Sequence, residues 1–176
     1  MQVKFTRLFA GAAVALGLAF AAPSTASAQM GFLVEANYGA DTEFGAGAGV
    51  TFGLGSLTTN SGIRGEATFD YYVPGGGSDF GGFSADWNYW EINGNALMDI
   101  KSVPGLYVGA GVNYANTSWD FEGCGVFCEL AEDSASDIGL NILGGWNFSG
   151  SKGPFAQAKF VIGGGEQLVV TGGIRF

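Results

Sequence analysis

Leu168-Val169-Val170-Thr171-Gly172-Gly173-Ile174-Arg175-Phe176 is the stretch on which the fold turns. In an extended chain, successive side chains point to opposite faces. Leu168, Val170, Gly172, Ile174 and Phe176 then share an apolar face. Gln167, Val169, Thr171, Gly173 and Arg175 share a mostly polar one. A lone strand leaves its backbone unpaired, so the fold follows only if seven more segments of the same kind exist.

The chain contains seven more. Phe32, Val34, Ala36 and Tyr38 alternate with Leu33, Glu35 and Asn37, and Ala48, Val50, Phe52 and Leu54 with Gly47, Gly49, Thr51 and Gly53. The clearest alternation sets Ile63, Gly65, Ala67, Phe69, Tyr71 and Val73 against Arg64, Glu66, Thr68, Asp70 and Tyr72. Three further strands are predicted over 90–100, 106–114 and 138–148, and another over 156–162. Short polar connections at 55–62, 101–105 and 149–154 alternate with longer ones, of which 74–86 and 116–137 are the longest. Short turns at one end and long loops at the other are the pattern of transmembrane barrels.

Upstream of these strands, Lys4 and Arg7 precede an apolar run from Leu8 to Ala22, and Ala26-Ser27-Ala28 supplies a small-residue cleavage site. Residues 1–28 therefore read as a secretory signal and 29–176 as one mature domain. Pro23 interrupts the run before the ~20 residues that a spanning helix needs. With Lys4 and Arg7 removed, five bases face sixteen acids, a formal charge of −11. A chain this acidic lacks the basic face that nucleic acid requires. The 32 glycines and 15 phenylalanines, with four prolines, suit strands and turns better than helices.

Alternation alone does not say which face is inside. Glu35, Arg64, Glu66, Glu91, Lys159 and Arg175 occupy the polar faces, three acids and three bases, among many Asn and Gln. That balance suits a closed polar lumen, because an unpaired buried charge costs several kcal/mol. Arg64 is expected to neutralise Glu66 or Glu91, and the inward glycines to leave some free space. Tyr38, Tyr71, Trp90, Tyr114, Trp146, Phe148, Phe155 and Phe176 fall near strand ends, as interfacial girdles would. Strands in lipid must close to pair every edge. The fold expected is an eight-stranded antiparallel transmembrane up-and-down β-barrel, all β.

The signal, eight alternations, loop asymmetry and terminal Phe176 together resemble the small bacterial outer-membrane proteins of the OmpA-barrel, OmpX and opacity-protein type. The resemblance covers the whole mature chain. It implies a location in the bacterial outer membrane, with lipid and lipopolysaccharide as surroundings. It also implies that Phe176 is an assembly signal read by the barrel-assembly machinery. No wall-binding domain follows the barrel, so the OmpA-type anchoring function is not expected.

The chain has no histidine. Ser-His-Asp catalysis and the usual zinc sites are thereby excluded, and neither an enzyme, a metal nor a cofactor is expected. Paired carboxylates such as Glu66 and Glu91 read instead as members of a lumen salt-bridge network. Cys124 and Cys128 are the only cysteines, and export to an oxidising compartment makes a disulfide between them the expectation. So small a loop would gain about 2 kcal/mol in the chain-entropy model. Asp120, Glu122, Glu129, Glu132, Asp133 and Asp137 make the same loop acidic. Either a solvated, repulsive loop or a divalent-cation site fits, although no EF-hand spacing is present.

The function expected is non-enzymatic: a surface-interaction or structural barrel displaying acidic loops, serving envelope integrity or adhesion. The alternatives are a narrow pore for small solutes or cations, and a soluble periplasmic barrel holding an apolar ligand. An eight-stranded barrel is just wide enough to be filled by side chains, which argues against the pore.

Overall fold

The structure is a computed structural model that describes residues 30–54, 62–73, 84–122, 133–164 and 167–176. Eight strands follow one another: β1 (Gly31–Gly39), β2 (Glu43–Gly53), β3 (Ile63–Val73), β4 (Ser84–Asp99), β5 (Leu106–Glu122), β6 (Asp133–Asn147), β7 (Gly153–Ile162) and β8 (Leu168–Arg175). Each pairs antiparallel with the next, and β8 returns to β1, so the sheet is a closed up-and-down barrel. The seam runs from Leu33 opposite Arg175 to Gly39 opposite Val169. Beyond it, the Phe176 N–H donates to the Phe32 carbonyl at 2.8 Å.

The alternating residues sort as two solvents would sort them. Phe32, Val34, Val108, Val112, Leu140, Ile142, Val170 and Ile174 all point outward, Ile142 with 55% of its surface exposed. Their neighbours in sequence, among them Leu33, Asn113, Asn141 and Val169, are buried. Soluble monomers rarely expose apolar patches beyond a few hundred Å², whereas here the apolar surface encircles the molecule. Its natural counterpart is hydrocarbon, and closure removes the unpaired backbone that hydrocarbon would not tolerate. The alternative of a soluble barrel with its apolar face inward is overturned, because that face is outside.

Aromatic rings border the apolar band. Tyr38 packs edge-on against Phe44 at 5.1 Å, and Trp90 lies between Phe69 at 5.9 Å and Tyr114 at 5.7 Å. Trp146 and Phe148 are exposed toward the opposite end. Phe155 departs from the expected girdle: it lies one residue out of phase with outward Ala156 and Ala158, so it points into the lumen and is buried.

Three strands run well beyond the others. β4, β5 and β6 have 16, 17 and 15 residues, against 8 to 11 for the other five. A spanning strand needs about 9–11 residues, so these overshoot by roughly five, or ~17 Å of extra strand. The overshoot falls at one end. β3 and β4 pair no further than Tyr72 opposite Tyr89, while β4 and β5 continue to Ser84 opposite Glu122. On the other side, β6 pairs with β7 only from Leu140 onward, yet pairs with β5 up to Asp133. The result is a three-stranded blade standing above the rim. Residues expected in long loops at 84–86, 116–122 and 133–137 belong to its strands.

At the opposite end, the β4–β5 and β6–β7 connections are tight turns. The Ile100 N–H donates to the Leu106 carbonyl at 2.9 Å, and the Phe148 N–H to the Pro154 carbonyl at 3.0 Å. Gly105 adopts φ 91° in the first of these turns, a conformation that costs glycine nothing.

A charge placed at mid-depth on the outer face checks the lipid assignment. Ile142→Arg is expected to destabilise the barrel refolded into vesicles by about 2–4 kcal/mol, read from urea titration. An unchanged midpoint would contradict a lipid-facing Ile142.

Candidate functional site

Buried side chains from seven of the strands fill the lumen, and β2 turns mainly glycines toward it. At the short-turn end, the Arg175 guanidinium donates to Asn147 Oδ1 at 2.5 Å and to Glu66 Oε2 at 2.8 Å. Its Cζ lies over the Phe155 ring, 3.6 Å from the centroid, in a cation–π arrangement. The Tyr107 hydroxyl donates to Gln157 Oε1 at 2.9 Å and accepts from Arg175 at 3.3 Å. Leu97, Tyr107 and Leu143 form an apolar cluster in this layer.

The middle layer is organised by two carboxylates. Glu91 pairs with Lys159 and accepts hydrogen bonds from Asn93 at 3.0 Å, Tyr72 at 3.3 Å and Tyr89 at 3.3 Å. Among the described residues, no cation pairs with Asp70. It accepts instead from Asn37 Nδ2 at 2.7 Å, Asn93 Nδ2 at 2.8 Å and Thr68 Oγ1 at 2.9 Å. Several neutral donors can hold a buried charge that one ion pair would otherwise balance. Asn141 extends the network to Asn93 and Asn95, and Thr171 donates to Asn37 at 2.6 Å. Toward the blade, Thr42 donates to Gln167, which donates to the Tyr89 hydroxyl at 2.8 Å. There Tyr72, Tyr89, Ala115 and Val169 close the lumen.

Inward glycines make this filling possible instead of leaving space. Gly109 lies between Leu97 and Leu143 in register, and a Cβ on it would stand 2.6 Å from Leu97 Cδ2 and 2.8 Å from the Ala96 carbonyl. Gly111 lets Asn95 and Asn141 meet in the same way, and Tyr107 crosses Gly145 to reach Gln157. Gly47 lies in register between Glu35 and Asp70, whose side chains both crowd its missing Cβ.

Of the six charged residues singled out from the sequence, Glu35, Glu66, Glu91, Lys159 and Arg175 are buried in the lumen. Two ion pairs form among them, Glu66–Arg175 and Glu91–Lys159. Glu35 joins neither, and its Oε2 is buried without a donor among the described residues. Arg64 does not neutralise Glu66 or Glu91. It sits at the short-turn mouth, paired with half-exposed Asp99 and stacked 4.8 Å over Tyr107. Period-two reading fixes the side a residue faces but not its depth. Asp70, at an equally readable inward position, was missed as a centre because only three bases were matched to three acids. Cys124, Cys128, the acidic residues Glu129 and Glu132, and the signal 1–28 lie outside the described residues. No group of three His, Cys, Asp or Glu side chains fit to hold a metal occurs among the described residues.

No family model matches the chain, and no curated protein matches it. Solved structures do. Neisserial surface protein A superimposes with a TM-score of 0.52 at 14% identity, over 83% of this chain and 94% of that one. A major outer membrane protein from Thermus thermophilus gives a TM-score of 0.52 at 11% identity, over 86% of this chain and 100% of that one. At such identities the likeness is one of fold: this chain has the architecture of the small bacterial outer-membrane barrels.

Two substitutions separate the charges that hold the lumen from those that do not. Lys159→Ala strands fully buried Glu91 and is expected to cost about 3–5 kcal/mol. Arg64→Ala frees only a half-exposed aspartate and should cost about 1 kcal/mol or less. Urea midpoints of the refolded variants check the order; equal losses would contradict it. Gly109→Ala drives a methyl group onto a carbonyl oxygen that cannot rotate away. A loss of about 1–3 kcal/mol is expected, and a neutral result in the same titration would show that the layer has slack.

Proposed function

We propose that this protein is a non-enzymatic, non-conducting outer-membrane barrel that acts through its outer surface. It would serve envelope structure or attachment, with the blade end facing outward. The observation that carries this reading is the filled lumen. Leu97, Tyr107 and Leu143 occupy one end, the Glu91–Lys159 and Asp70 networks the middle, and Tyr72, Tyr89 and Val169 the other end, and this filling supports a barrel that does not conduct. A pore needs a path, and a catalyst needs a group free to react. The buried carboxylates Glu66, Asp70 and Glu91 are engaged with other lumen side chains, and Glu35, whose Oε2 has no donor among the described residues, lies enclosed in the lumen.

What remains for function is the exterior. The blade presents Asn116, Ser136 and Tyr114 in a hydrogen-bonded patch, with Asn116 Nδ2 to Ser136 Oγ at 2.9 Å and the Tyr114 hydroxyl to the same oxygen at 2.9 Å. Along its outer edges, the described parts of β3 and β7 do not extend beside 84–87 and 133–139. Surfaces with exposed backbone and neutral polar groups favour association with other chains or with glycans. The signal-like segment 1–28 supports export, and Phe176 supports handling by the barrel-assembly machinery. Lipid and lipopolysaccharide are the proposed surroundings.

Planar-bilayer recording of the refolded protein tests the reading directly. A silent membrane is expected from preparations whose unboiled gel mobility shows a folded barrel. Discrete, reproducible openings from the same preparations would overturn it in favour of the narrow pore.

A further inference from the structure

The short-turn mouth contains a cavity of about 260 Å³ that the filled lumen does not use, and it is lined by Arg64, Asp99, Lys101, Asn147, Ser151 and the Ile100–Leu106 turn. Two cations and two neutral donors line it, from two strands and two turns. Arg64 is held by β3, Lys101 by the β4–β5 turn, Asn147 by the end of β6, and Ser151 by the β6–β7 turn. Arg64 is mostly covered yet poorly satisfied: one terminal nitrogen is tied to Asp99, while Nε and Nη2 are buried without a hydrogen-bond partner among the described residues. Asp99, its only ion-pair partner among the described residues, is itself half-exposed and so is easily displaced. Glycines at positive φ, Gly105 at 91° and Gly150 at 75°, shape the two turns that form the cavity walls.

We propose that this cavity binds a phosphate group, with Arg64 and Lys101 as its charge partners and Asn147 and Ser151 as neutral donors. Asp99 occupies Arg64 in the absence of the ligand and competes with it. Donors arriving from several directions suit a tetrahedral oxyanion better than a planar carboxylate, which a single guanidinium fork would satisfy. The group can come from free phosphate or from a phospholipid headgroup, since the mouth lies where the apolar band of the barrel ends. The lumen charges Lys159 and Arg175 are already paired with Glu91 and Glu66. The cations left to meet an anion at this end are therefore Arg64, Lys101 and Lys152, of which Arg64 and Lys101 line the cavity.

The test uses the full barrel refolded in a neutral detergent and titrated calorimetrically in two arms. One arm uses inorganic phosphate, the other a short-chain phosphatidylglycerol below its micelle concentration. Saturable binding in either arm is expected, weakened in both Arg64→Gln and Lys101→Gln. Asp99→Asn, which removes the internal competitor, should tighten it about fivefold, the scale of a partly exposed ion pair. Binding of phosphate alone, or of the lipid alone, with that pattern of variants identifies the source. Absence of binding in both arms, or binding indifferent to Arg64→Gln and Asp99→Asn, overturns the proposal. Unboiled gel mobility verifies that each variant is folded before it is titrated.

Discussion

A chain that crosses hydrocarbon as strands has to satisfy every backbone N–H and C=O within itself, and here the β1–β8 seam does so. Seven antiparallel ladders would leave two open edges, each a row of unsatisfied groups costing several kcal/mol apiece in lipid. The seam residues are small and alternating where it matters. Ala36 faces Gly172 on the outside, and Asn37 faces Thr171 on the inside, where their side chains hydrogen-bond. Backbone closure and lumen filling thus meet at the same residues. Once the sheet is closed, its interior has a fixed circumference, and everything placed there must be partnered there.

That second requirement explains the unusual glycine content of the inward faces. A closed ring of eight strands cannot hold eight large side chains per layer. The solution is to alternate: a long side chain on one strand lies over a glycine on the next and touches the residue beyond it. Leu97 and Leu143 across Gly109, Asn95 and Asn141 across Gly111, and Tyr107 and Gln157 across Gly145 repeat the device. Glycine in a lumen is therefore no sign of a channel. The missing Cβ is the space in which a neighbouring side chain lies.

The transmembrane part was legible because lipid and lumen are different solvents, and a strand between them must alternate. The inward and outward sets of β3 follow from its sequence alone. Above the rim, both faces of Asn116–Ser118 and Ser134–Asp137 meet water, so no two-residue period is selected, and these segments read as loop although they are strand. Depth was not legible either. Parity turned Arg64 inward correctly, but its pairing with Asp99 instead of Glu66 depends on register set by a turn. Asp70 draws its donors from Asn37 and Asn93, 33 and 23 residues away. Such a hub is a property of closure, which no local window contains.

The distribution of charge gives the barrel a direction. After residue 28 the five bases are Arg64, Lys101, Lys152, Lys159 and Arg175. Three point into the lumen or its mouth, and Lys101 and Lys152 stand exposed in the short turns. At the blade end, Asp41, Glu43 and Asp137 are exposed, and the strands of the blade add only acids. An anionic leaflet would repel that end, and salt confines the repulsion to a Debye length of about 8 Å. The extra ~17 Å of strand gives roughly 12 Å of height at a tilt of ~45°. The foot of the blade near Asp137 then lies inside the field of such a leaflet, while its tip lies outside. Acidity at the foot discourages the blade from lying down on the lipid, and its length carries the tip clear of that field.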